Sequence, residues 1–245
     1  MATEPVRAVA TDPDDDLSPF ATVDAWVFDL DETLYAPTPA LAALYDERMT
    51  AFIARALEMP LAEAAILREQ LYNRYGATVR GLMTEHGITP DAYLDYVHDV
   101  DHSSIEPNPR LAAAIERLPG PRYILTNSPI RHAERVLDRL GMTGLFADIF
   151  DFMRGGGKAK PSRAVYDLLI AETGIDPRRT AMFEDLARNL VEPQALGMTS
   201  VLVLPPGTRE LFRANWDLEK GPDPAADFLT EDLAGFLEAV FRVAR

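Results

Sequence analysis

The stretch Asp24-Ala25-Trp26-Val27-Phe28-Asp29-Leu30-Asp31-Glu32-Thr33 runs a short apolar β-type segment straight into an acidic stop. Four apolar residues in succession predict a buried strand of the kind found in parallel sheets. In a doubly wound sheet, the residues just past the carboxyl ends of the strands face a shared crevice. Asp29 and Asp31 stand at such a place.

Downstream, from Pro39 to about Leu118, apolar residues recur three and four apart in LAALYDERMTAFIARAL, PLAEAAILREQLYNRYG, TVRGLMTEHG and PDAYLDYVHDV, which predicts a run of helices punctuated by Gly76, Gly87 and Pro90. Pro107 and Pro109 mark a connector and Leu111–Leu118 a further helix. Arg122–Leu125 reads as a second strand, ending at Thr126-Asn127-Ser128. Alternation continues with a helix around His132–Leu140, a short strand near Asp148–Phe152, a Gly155–Gly157 loop leading to Lys160-Pro161, and a helix from Ser162. A strand at Thr180–Phe183 ends in Glu184-Asp185, followed by a helix to Leu196, a strand at Ser200–Leu204, and a short strand and closing helix within Ala226–Val243. Repeated strand and helix with right-handed crossovers predicts an α/β fold, a Rossmann-like doubly wound parallel sheet with a helical insert after its first strand. The expected division is a disordered acidic tail over 1–22, a core formed by 23–38 and 108–245, and a helical domain over 39–107. The tail expectation rests on prolines and the acidic cluster Asp12–Asp16, which bury little apolar surface.

The polar residues at the strand ends are the types that phosphoryl transfer needs. Asp29 is placed to attack phosphorus as a nucleophile, and Asp31, two residues on, to protonate the leaving oxygen and later deprotonate water. Magnesium prefers oxygen ligands, which suits Asp29, the Asp31 carbonyl and Asp185. The Thr126 hydroxyl, the Asn127 amide and the Lys160 ammonium are candidates for holding phosphoryl oxygens. Each residue alone has an ordinary reading as a cap, turn or surface group. Their joint occurrence, in order and at element boundaries, favours chemistry.

These motifs together resemble the haloacid dehalogenase-like hydrolase superfamily. D-x-D-x-T stands as Asp29–Thr33, the second-strand threonine as Thr126, the lysine as Lys160 before Pro161, and the terminal acidic motif as Glu184-Asp185. FDLDETLY, LYNRYGATVRGLMTEHG, YVHDVD, LTNSP, AMFEDLARNL and ALGM are similar to the pyrimidine 5'-nucleotidase group, over about Val23 to Leu204. The resemblance implies a helical cap over the core, a magnesium cofactor and a pyrimidine nucleoside monophosphate as substrate. Where many members carry a second aspartate four residues after the metal-binding one, this chain has Asn189, so the roles of Glu184, Asp185 and Asn189 stay open. Lys158 competes with Lys160, which Pro161 favours. In the cap segment Tyr72, Arg74, Tyr75, Arg80 and a bend at Gly81 are candidates for contacting a base, helix packing being the alternative for the tyrosines.

Composition narrows the classes. A net charge of -15 disfavours a nucleic-acid polymer as partner, so the expected ligand is a small phosphorylated metabolite. There is no cysteine, hence no disulfide or thiolate metal site. No uninterrupted apolar run is of membrane-spanning length, and the expected location is cytoplasmic. His98 and His102 have a spacing compatible with zinc if helical, but the prolines that follow favour a hinge, and His86 and His132 have no evident partner in the sequence. Competing readings are a sugar-phosphate phosphatase or phosphomutase on the same machinery, and a non-catalytic phosphometabolite sensor. Asp31 disfavours a dehalogenase, since halide departure needs no acid. The absence of lysine between Pro39 and Leu118 disfavours a phosphonatase.

Overall fold

Ala25–Phe28 form β1, and all four side chains are buried because successive residues enter opposite faces of a sheet. Trp26 and Phe28 join one apolar cluster, Ala25 and Val27 another. The computed structural model describes residues 16–208 and 226–244. Around β1 lie β2 (Arg122–Leu125), β3 (Asp148–Phe150), β4 (Thr180–Glu184), β5 (Thr199–Val203) and β6 (Phe228–Thr230), in the order β3-β2-β1-β4-β5-β6. Every pairing is parallel. Chain order reverses beside β1, whose Phe28 is in register with Ile124 of β2 and Phe183 of β4. That is the switch point at which such sheets open a crevice.

Four helices separate β1 from the rest of the core: α1 (Pro39–Ala56), α2 (Leu61–Tyr75), α3 (Thr78–His86) and α4 (Pro90–His98). Thr38 caps α1 by accepting from the Leu41 amide, with Pro39 in the first turn where its missing N–H costs nothing. Phe52, Ile53, Leu71, Val79, Leu82, Tyr93, Leu94 and Val97 make a third cluster that also takes in Phe152 and Ala159 from the core. Gly81 makes no bend, contrary to expectation. It lies within α3, and a Cβ there would stand 2.7 Å from Leu71, so glycine lets α3 close on α2. The sheet is covered on one face by α5 (Pro109–Glu116), α6 (Ile130–Leu140) and α9 (Leu233–Val240), and on the other by α7 (Arg163–Thr173) and α8 (Ala187–Leu196). None of the helices among the described residues is long and apolar enough to cross a membrane.

The expected tail over 1–22 needs correction at its end; residues 1–15 lie outside the described residues. Ser18–Thr22 form a 3-10 turn whose Phe20 is fully buried. Its ring stacks 6.3 Å from Trp26 and meets Phe236 edge-on at 5.6 Å. A single aromatic residue anchors a segment whose average composition argues for disorder. Phe20→Ala should therefore cost about 3–5 kcal/mol in urea unfolding; a change near zero would show that this aromatic cluster does not hold the segment.

Candidate active site

The sheet places the first carboxylate itself. The Asp29 amide donates to Phe183 O at 2.9 Å, extending the ladder one residue past β1, and the carboxylate is buried at the strand end. The chain then turns sharply: Glu32 takes a φ of 63° and the Leu34 amide donates to Leu30 O at 3.0 Å. This turn returns Thr33 to Asp29, where its hydroxyl donates to Oδ2 at 3.2 Å, and sets Asp31 beside the crevice.

Lys160 is 2% exposed, and its ammonium donates to Asp29 Oδ1 at 2.5 Å and to Glu184 Oε1 at 2.8 Å. Burial would lower the ammonium's pKa, but the two carboxylates raise it above its ordinary value. Lys158 is exposed, so it is Lys160 that enters the crevice. The Asn127 side chain grips the Lys160 backbone through Nδ2 to O at 3.2 Å and through the Lys160 amide to Oδ1 at 2.8 Å. The expectation for Asn127 named only its backbone amide. The side chain has a separate task, holding the lysine loop against β2. Thr126 is buried and lines the crevice, accepting from the Ser128 amide at 3.0 Å.

Glu184 is fully buried and, besides Lys160, accepts from Asn189 Nδ2 at 2.6 Å and the Leu186 amide at 2.7 Å. Burial pushes its carboxyl up, but Lys160, a hydrogen bond with Asp185 and the Leu186 amide bring it below its usual range. Asp29 moves the other way: burial raises its pKa, Lys160 opposes and Glu184 adds to the rise. Asp185 is raised further, by burial and by the charges of Glu184 and Asp29. One ammonium thus faces three crowded carboxylates.

That surplus of negative charge is the test of whether a divalent cation fits. Asp29, Glu184 and Asp185 each bring a carboxylate oxygen within 4.8 Å of the others. Asn189 Oδ1 is buried without a hydrogen-bond partner on the same crevice. An all-oxygen set with excess charge suits magnesium. Glu184 already accepts from three donors, which leaves it less free for an ion than Asp29 and Asp185.

Asp31 stands outside that trio, its carboxylate held by Tyr35 and His132 on Oδ1, each at 2.6 Å, and by Ser128 on Oδ2 at 2.7 Å. Burial pushes its pKa up, but His132 and the hydroxyls carry it well below the usual carboxylate range. Above these groups lies a cavity of about 560 Å³ roofed by the insert, including Tyr45, Asp46, Met49, Arg68, Tyr72 and Leu94. Its size suits a small molecule. Of the insert candidates only Tyr72 lines it. Arg74 turns outward into an ion pair with Glu85, Tyr75 packs half-buried on the insert cluster with its hydroxyl donating to Glu85 at 2.8 Å, and Arg80 is not at the wall. Helical geometry is the reason for Arg74, which falls on another face of α2 than Arg68 and Tyr72, four apart; Tyr75 shares their side but ends the helix and packs on the insert cluster. His98 and His102 share no helical face, because α4 ends at His98; both rings pack against His132 instead. Sequence reasoning missed His132, although its place in the first turn after β2 and its Thr126-Asn127-Ser128 end was a usable signal.

Comparison with known proteins gives the family. The model of the family described as haloacid dehalogenase-like hydrolase matches residues 23–191. Phosphate metabolism protein 8 of Saccharomyces cerevisiae is 26% identical over 200 residues, 72% of this chain and 60% of that protein, so the chain spans less than two thirds of that relative's length. Among solved structures, a HAD phosphatase from Thermococcus onnurineus is similar with a TM-score of 0.57 at 17% identity, covering 89% of this chain and 98% of its own. The L-2-haloacid dehalogenase from Xanthobacter autotrophicus is also similar, with a TM-score of 0.57, 18% identity and coverage of 91% and 100%. A HAD family hydrolase from Deinococcus radiodurans, with bound phosphate and sodium, gives 0.51, 21%, 91% and 97%. At these identities the structural likeness speaks for the fold alone.

If the crowded carboxylates hold magnesium, the ion at about 100 times its dissociation constant should raise the unfolding midpoint of the wild type by roughly 5–10 °C. Asp185→Asn should remove that rise, while unfolding at a higher temperature than the metal-free wild type because the amide replaces an acid whose ionisation the fold opposes. Equal magnesium shifts in both proteins would contradict the assignment.

Proposed function

The chain belongs to the haloacid dehalogenase-like hydrolases, and on that premise we propose that it is a magnesium-dependent phosphatase of small phosphomonoesters, with a pyrimidine nucleoside 5'-monophosphate as substrate. The observation that carries this reading is the pairing of Asp29, held by Thr33 and Lys160, with a second carboxylate, Asp31, on the same cavity. A dehalogenase of the same fold has no use for that second group, because halide leaves carbon without a proton.

In the proposed reaction an Asp29 carboxylate oxygen bonds to phosphorus as the bond from phosphorus to the ester oxygen breaks. Asp31 gives its proton to the departing oxygen. The dianionic phosphate beside Asp31 opposes its ionisation, which offsets the pull of His132 and favours the proton it has to donate. Water then attacks the phosphorus of the aspartyl-phosphate, Asp31 takes a proton back, and inorganic phosphate leaves with Asp29 restored. Lys160, Thr126 and the Asn127 amide would hold the equatorial oxygens, where charge collects in the transition state. A magnesium ion bound through Asp29, Asp185 and the Asp31 carbonyl would neutralise charge on carboxylate and phosphate. Glu184 keeps Lys160 charged and in place, and Asn189 holds Glu184.

The substrate class draws on the motif similarity to pyrimidine nucleotidases and on the cavity wall. Tyr72 and Tyr45 offer aromatic surface for a base, and Arg68 offers donors, above a floor that takes the phosphate. The four-helix insert would act as a cap that shields the intermediate from bulk water.

The test is phosphate release from uridine, cytidine and purine monophosphates, sugar phosphates and an aryl phosphate, with magnesium or chelator. Release from the pyrimidine nucleotides that requires magnesium and is lost in Asp29→Asn is expected. Release only from other esters would remove the nucleotide assignment. Tight binding of metabolite without turnover would favour a sensor.

A further inference from the structure

His132 is 1% exposed and belongs to none of the steps above, yet its Nε2–H donates to the Asp31 carboxylate at 2.6 Å. Behind it, Nδ1 meets His102 Nε2 at 3.1 Å, and His102 in turn meets the Tyr45 hydroxyl at 3.2 Å. His98, at the end of α4, closes the third side, its ring centroid 4.7 Å from that of His132 and its Nδ1 2.9 Å from Leu94 O. The imidazole is thus wedged between core and insert: it sits on α6, while Tyr45 comes from α1, His98 from α4 and His102 from the connector that returns to the core.

An aspartate side chain has two soft torsions, and a carboxylate at the lip of a cavity has water to turn toward. Asp31 remains one third exposed, so sheet packing alone does not fix it. Ser128 and Tyr35 reach it through rotatable hydroxyls. The histidine ring is the rigid member, locked from behind by two further side chains. We propose that His132 is a positioning residue that fixes the Asp31 carboxylate toward the leaving oxygen, with His102 and Tyr45 tying that orientation to the seating of the helical insert.

The proposal rests on the phosphatase reading and separates from it by leaving group. An alkyl phosphate expels a poor leaving group that needs the proton from Asp31, whereas an aryl phosphate expels a phenolate that does not. Under initial-rate conditions kcat/KM reports only the steps up to transfer onto Asp29, so base catalysis in the later hydrolysis does not enter it. In His132→Leu, which keeps bulk and loses the donor, kcat/KM for an alkyl phosphate should fall about 100-fold further than for p-nitrophenyl phosphate, the scale set by a misplaced catalytic group. His132→Gln, whose amide reaches toward Nε2, should recover part of the loss. Should the leucine variant fail to fold, His132→Asn serves instead, since its amide meets His102 but stops short of Asp31. Equal losses on both substrates in the folded variant, or no loss on either, would overturn the proposal. No phosphate release by the wild type from either ester would overturn the phosphatase reading beneath it.

Discussion

An ammonium group buried where three strands end is the constraint on which the rest of the site depends. Desolvating a charge of this kind is costly unless the surroundings return the lost interactions. Asp29 from the end of β1 and Glu184 from the end of β4 do so, at 2.5 and 2.8 Å. Asn127 from the end of β2 holds the backbone that carries the lysine. Lys160 therefore binds the two sides of the switch point to each other. Moving β1 or β4 by one residue in register would take a carboxylate away from the buried ammonium, and moving β2 would release the loop that carries it. The same arrangement explains why Asp29 and Asp185 are held above the usual carboxylate range while Glu184 lies below it. One cation serves three crowded acids, and the charge it leaves unbalanced gives the site capacity for another.

The core could be read from the chain because its signals are local. A buried strand followed by acids, a second strand followed by Thr126-Asn127, a lysine before a proline and a strand ending in Glu184-Asp185 each lie within a few residues, and the crevice rule gathers them. What could not be read depends on distance. His132 lies 101 residues from Asp31 and its partner His102 belongs to the other side of the insert, so no spacing in the sequence announces their contact. Phe20 was lost in an acidic, proline-containing segment because composition averages over a window while burial acts on one ring. In α2 the aromatic and basic residues were visible but their faces were not; Tyr72 lines the cavity and Arg74 faces solvent because two residues along a helix turn a side chain by about 200°.

Haloacid dehalogenases and phosphatases appear side by side among the structural relatives, which shows how little the sheet decides about chemistry. What differs lies in a few side chains on the loops past the strands and on the insert above them. On the proposed reading the second carboxylate is the discriminating one in this chain, and a tyrosine, a serine and a buried histidine hold it.

The central claim is that Asp29 bonds covalently to phosphorus. Acid quenching of the enzyme during turnover of a phosphomonoester, followed by mass analysis of its peptides, tests this most directly. The account predicts a phosphoryl group on the peptide carrying Asp29, absent in Asp29→Asn. Sustained phosphate release with no such adduct at any quench time, under conditions that preserve acyl phosphates, would contradict it.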